Sequence, residues 1–134
     1  MIQLNPIAIA ATSQQYMVRV EENLCQSFCL TNSVQPQGNI TFSVGGINVV
    51  DGTVFVTINV NGSIAYQPNG CNPCCTKTKL FSESFVVGFT GTGTPTIDLT
   101  VGGQSQSAEN VKCNNRAYGW SITSDLTIAA TFPS

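Results

Sequence analysis

The chain has no histidine, and only 9% of its 134 residues are charged, against roughly 25% in an ordinary soluble domain. Without an imidazole, Ser-His-Asp and Cys-His nucleophilic catalysis are excluded. Five basic residues, Arg19, Lys77, Lys79, Lys112 and Arg116, in a chain of net charge −2 are too few and too scattered for a phosphate-binding patch, so no nucleic-acid partner is expected. Long hydrophobic runs are absent too. The stretch Ile7–Ala11 falls far short of the ~20 residues of a membrane span. No Lys or Arg precedes it, so it reads as a first strand and not as a secretory signal. Synthesis in the cytoplasm is the expectation, with a leader already removed as the alternative. No window carries a convincing helical repeat of apolar residues.

Neutral side chains take the place of charge. Thr, Ser and Asn are each at least as numerous as the 12 glycines, beside a hydrophobic fraction of 42%. That fraction with so little net charge excludes disorder. A surface of this kind suits a protein largely covered by neighbours, because interface centres are depleted in charge.

Alternation with a period of two runs through the chain. Ile40, Phe42 and Val44 alternate with Thr41 and Ser43; Ile97, Leu99 and Val101 alternate with Asp98 and Thr100; Tyr16, Val18 and Val20 alternate near the start. Asp51-Gly52 between Ile47–Val50 and Thr53–Val60 is a β-hairpin signal, since both central residues of that tight turn need positive φ. Asn61-Gly62 predicts a second reversal and Asn69-Gly70 a further break. The prolines sit at segment edges or in loops. Together these signals predict one all-β domain over residues 1–134, a β-sandwich of 8–10 strands with jelly-roll or immunoglobulin-like topology. Long loops are expected at 31–39, 67–79 and 102–117. The segment from Ile40 to Gly46 is echoed from Ile97 to Gly103, both ending in Gly-Gly.

Six cysteines are the most informative residues. Cys25 and Cys29 form a C-x3-C pair, and Cys71 and Cys74 a C-x2-C pair followed at once by Cys75. Two such turns brought together supply the four thiolates of a closed structural zinc site. The candidate ligands are Cys25, Cys29, Cys71 and Cys74, with Cys75 or Cys113 as substitutes. An even number of cysteines is equally the pattern of disulfides in an oxidising compartment, and reduced, buried thiols are the third reading.

Other candidates are weaker. Glu21 and Glu22 are adjacent, so they point to opposite faces of a strand. Glu83, Asp98, Glu109 and Asp125 read as isolated surface acids. The glycine-rich segment from Gly91 to Pro95 leads into a strand, not a helix, and so is no phosphate cradle. Tyr118 and Trp120 could form an aromatic platform, with core packing as the default for a lone tryptophan. Phe81, Phe85 and Phe89 share one face and read as core. No acid, base and nucleophile come together, so no enzymatic activity is expected.

In size, strand pattern and composition over its whole length, the chain resembles the small auxiliary, or decoration, proteins of tailed-bacteriophage capsids. The resemblance implies a multicopy structural protein on the virion, assembled in the host cytoplasm and binding capsid protein to clamp the lattice. The alternative is an extracellular binding module, an adhesin or a carbohydrate-binding sandwich with exposed aromatics such as Tyr66, Tyr118 or Trp120.

Overall fold

The computed structural model describes residues 2–9, 13–26, 28–31, 33–68, 76–109 and 119–133. Among them are seven strands: β1 (Ile2–Ile9), β2 (Ser13–Leu24), β3 (Gln37–Val50), β4 (Thr53–Tyr66), β5 (Lys77–Thr90), β6 (Thr96–Glu109) and β7 (Gly119–Thr131). They form two sheets, one ordered β1-β2-β7-β6 and one ordered β3-β4-β5, with every neighbouring pair antiparallel. The arrangement is sandwich-like. Seven described strands are fewer than the 8–10 expected, because single strands of 14 residues run through points where the turn residues suggested breaks. The order also differs from a constant-type immunoglobulin sandwich, in which the first and second strands share a sheet with the fourth and fifth. Here the third to fifth strands form one sheet as a meander.

Alternation decides what each strand buries. On β4, Val54, Val56, Ile58, Val60 and Ile64 are fully buried; on β7, Ile122, Leu126, Ile128 and Ala130 are equally enclosed. These central rows, with Val18, Val20 and Leu24 of β2 and Phe89 of β5, make one apolar cluster drawn from both sheets. Each large aliphatic side chain in it contributes about 1.5–3 kcal/mol of transfer free energy. Phe89 lies in this cluster, with Phe81 and Phe85 packed half-buried against it, as their common spacing predicts.

The Asp51-Gly52 reversal is present: the two residues have φ of 48° and 81°, both left-handed, and Val50 pairs with Thr53 across the turn. The Asn61-Gly62 reversal is not. β4 runs straight through it, with Gly62 opposite Ile40 and Phe81. Glycine stands there for closeness, not for a turn. A Cβ at residue 62 would lie 2.2 Å from the Asn39 carbonyl oxygen and 2.5 Å from the Phe81 ring.

The two Gly-Gly segments likewise do not end their strands. Each shifts the register inside an edge strand: β3 slips against β4 between Val44 and Gly46, and β6 slips against β7 between Val101 and Gln104. Such bulges absorb an extra residue and bend the edge. Residues 37–39, 77–79 and 102–109, placed in loops by composition, are therefore strand. The Asn69-Gly70 break lies outside the described residues.

Replacing Gly62 with Val is expected to lower unfolding stability by about 1–3 kcal/mol through overpacking. Gly46→Ala, where a Cβ meets nothing within 4 Å, should stay within about 0.5 kcal/mol of the parent. Chemical denaturation of both variants checks the contrast.

Candidate functional site

Cys25 and Cys29 follow β2, and both are disulfide-bonded. Cys29 is buried, and its N–H donates to the Gln67 carbonyl at 2.8 Å. A sulfur in a disulfide is not a thiolate, and zinc takes thiolates. The four-thiolate arrangement of Cys25, Cys29, Cys71 and Cys74 therefore belongs to the reduced chain only. Cys71, Cys74, Cys75 and Cys113 lie outside the described residues. Among the described residues, no group of three or more Cys, Asp or Glu is placed to hold a metal ion.

The acidic residues are arranged differently from the expectation. Glu21 and Glu22 do point to opposite faces of β2, but Glu22 points inward in phase with Val18, Val20 and Leu24. Glu83 points inward from β5 in phase with Phe81 and Phe85, and the two carboxyls hydrogen-bond across the gap between the sheets. Burial, first, and then the hydrogen bond and negative charge of Glu83 push the Glu22 carboxyl up to about 7, while Lys79 pulls the other way. One oxygen of each carboxyl, Oε1, is buried with no hydrogen-bond partner. Lys79 itself donates to the Asn23 carbonyl at 3.0 Å. The Glu22 carboxyl therefore keeps its proton until near neutrality. The pair's signal was present in the sequence as two glutamates in phase with apolar rows; that the rows face each other was not.

Glutamine side chains close two corners of the sandwich by standing in for peptide groups. At one, the Gly38 N–H donates to Gln106 Oε1 at 2.8 Å while Gln106 Nε2 donates to the Gly38 carbonyl at 3.2 Å. Trp120 Nε1 donates to the same Oε1 at 3.1 Å, and Gln104 Nε2 donates to the Ile40 carbonyl at 2.8 Å. At the other, the Thr90 N–H donates to Gln14 Oε1 at 3.1 Å, and Gln14 Nε2 donates back to the Thr90 carbonyl. Trp120 is buried edge-on against Phe28, and Tyr66 is buried with its hydroxyl on Gln26. Neither offers a ring to a ligand; Tyr118 lies outside the described residues. A cavity of ≈330 Å³ beside Asn61, Gly62, Leu80, Phe81 and Ser82 offers amide, hydroxyl and apolar surface but no acid or base.

The largest departure from a closed sandwich is on the side where β3 and β6 lie. Every residue from Ser43 to Val50 is exposed, including Val44, Ile47, Val49 and Val50, with Val101 exposed on β6. Val44, Ile47 and Val49 stand on the same face of their sheet as the buried β4 row, since they pair with Ile58, Val56 and Val54. Beyond the glutamine clasp the opposite sheet leaves this face uncovered. Among the described residues no helix is long and apolar enough to cross a membrane. No family model matches the chain, and no curated protein or solved structure matches it either.

Because the Glu22 carboxyl sits above its ordinary value, the stability it allows is complete below about pH 4.3 and is lost as pH rises through about 7. The melting temperature of the parent should therefore fall between about pH 5 and 8. Glu22→Gln should flatten that slope and melt higher than the parent at the alkaline end. Separately, Gln106→Ala removes three hydrogen bonds. It should cost about 1–2 kcal/mol and speed hydrogen exchange at the Gly38 amide.

Proposed function

We propose that the chain is a structural subunit of a larger assembly, and that the assembly is a virion carrying it in many copies as an auxiliary, or decoration, protein on its capsid. The observation that carries this reading is the uncovered length of β3, free of charged side chains, where Val44, Ile47, Val49 and Val50 stand exposed. Interfaces are depleted in charge at their centres, and exposed apolar patches mark interaction sites. The outward face of the three-stranded sheet has the same character. Asn59 and Asn61 of β4 lie between Thr41 and Ser43 of β3 and Ser82 and Ser84 of β5, a patch of short neutral side chains flanked by the exposed Leu80 and Val86 and suited to close packing against capsid protein. Disulfides persist on virion and cell surfaces, so the bonded Cys25 and Cys29 agree with a place on the outside of a particle. No catalytic reaction is assigned to the chain, and neither nucleic acid nor a membrane is proposed as a partner.

The bonded cysteines also favour a second reading, a secreted adhesin or carbohydrate-binding module. Of the aromatics that reading needs, Trp120 and Tyr66 are in the core, which takes away its most direct support.

Density-gradient fractionation of the native source decides between them. The protein is expected to co-sediment with particles of a capsid's size in a fixed ratio to capsid protein. Recovery only at the top of the gradient, together with retention on immobilised glycans, would overturn the virion reading in favour of the binding module.

A further inference from the structure

The outer edge of β3 is handled in two ways along its length. At Gly38 and Ile40 the peptide groups that point away from β4 are capped by Gln106 and Gln104. Past the bulge at Gly45 no such cap occurs among the described residues. The closing pair of the Asp51-Gly52 hairpin, Val50 and Thr53, is a hydrogen-bonded pair, and such pairs alternate with non-bonded ones along an antiparallel ladder. The N–H and C=O groups of Ile47 and Val49 therefore point outward, unpaired, from a strand whose side chains are exposed.

Edge strands are ordinarily blunted by charge or proline. The edge of the other side conforms: β5 carries Lys77, Lys79 and Glu83, and β1 carries Pro6. β3 has no charged residue and no proline in 14 positions. From these observations we propose that Gly46–Val50 pairs antiparallel with the same segment of a second copy about a two-fold axis at Asn48, joining two three-stranded sheets into one of six.

The segment is complementary to itself in that register. Ile47 falls opposite the second copy's Val49 on the inward face, and Val49 opposite its Ile47, so apolar meets apolar while their outward peptide groups exchange both hydrogen bonds. Asn48 meets Asn48 on the outward face, where two amides can bond each other. Val50 falls beside Gly46, above which there is open space. A two-fold contact needs one patch to match itself, and a copy brings no charge to be desolvated. A partner strand carrying Lys or Glu at its inward positions would bury that charge against Ile47 and Val49. This inference builds on the assembly reading and names one contact that the subunit makes.

The test is sedimentation equilibrium of the full-length, oxidised chain over about a hundredfold range of concentration, with hydrogen exchange read at the Ile47 and Val49 amides. The mass is expected to rise from one chain to two, and those two amides to slow by about tenfold or more as the dimer fills. Val49→Lys, at a position 54% exposed, should keep the parent's melting curve and remain a single chain. A parent that stays a single chain with fast-exchanging amides would overturn the proposal. So would a dimer undiminished in Val49→Lys, or one held only by a reducible disulfide. A single chain that still co-sediments with particles removes this contact and leaves the assembly reading standing; a dimer absent from particles does the reverse.

Discussion

The inward rows of β4 and β7 form a dry layer between the sheets, and the remaining structure is arranged around keeping it closed. β4 buries every second residue from Val54 to Val60, and β7 does so from Trp120 to Ala130. A slip of one residue in either strand would turn its whole apolar set to water. Register is therefore strongly held along the two central strands, and irregularity is pushed to the edges. Both Gly-Gly bulges lie in edge strands, each paired to a straight neighbour. The close approach of Phe81 to Gly62 follows from the same demand, since the two residues are paired across β4 and β5 on the face turned to the layer.

Strands of 14 residues span roughly 45 Å, and the two sheets do not cover each other over all of that length. Where they part, backbone and polar groups need partners. Glutamine side chains meet the need at Gly38, Ile40 and Thr90, because a carboxamide has the donor and acceptor of a peptide group. Glu22 and Glu83 meet it only in part by hydrogen-bonding each other: one oxygen of each stays without a partner, and Glu22 keeps a proton that bulk water would remove. Along Gly46–Val50 no described side chain meets it. The uncapped segment is uncharged and is also the fully exposed one, and that coincidence is why it reads as a contact surface instead of a loose end.

Much of the fold was legible in the residues. Strict alternation marked Ile40–Val44, Ile97–Val101 and Tyr16–Val20 as strands, and Asp51-Gly52 marked its turn, because both are local consequences of backbone geometry. The breaks suggested by Asn61-Gly62 and Gly102-Gly103 did not occur. A glycine is required equally by a turn, a bulge or a ring packed on the backbone, and only the neighbouring strand says which. The candidate site was less legible. Trp120 and Tyr66 carry polar handles that suit either a surface or a core, and their partners Gln106 and Gln26 are remote in sequence or undistinguished in kind.

By itself the sequence determined the all-β class, the alternation that builds the apolar layer, and the shortage of charge that directs attention to covered surfaces. Each of these depends on a residue and its near neighbours. Tertiary structure alone decided that β2 and β5 bring Glu22 to Glu83, that Cys25 and Cys29 are disulfide-bonded, and that β3 and β6 share the open side. Those outcomes depend on strand order, and strand order is set by how two sheets enclose one core, not by the composition of any single strand.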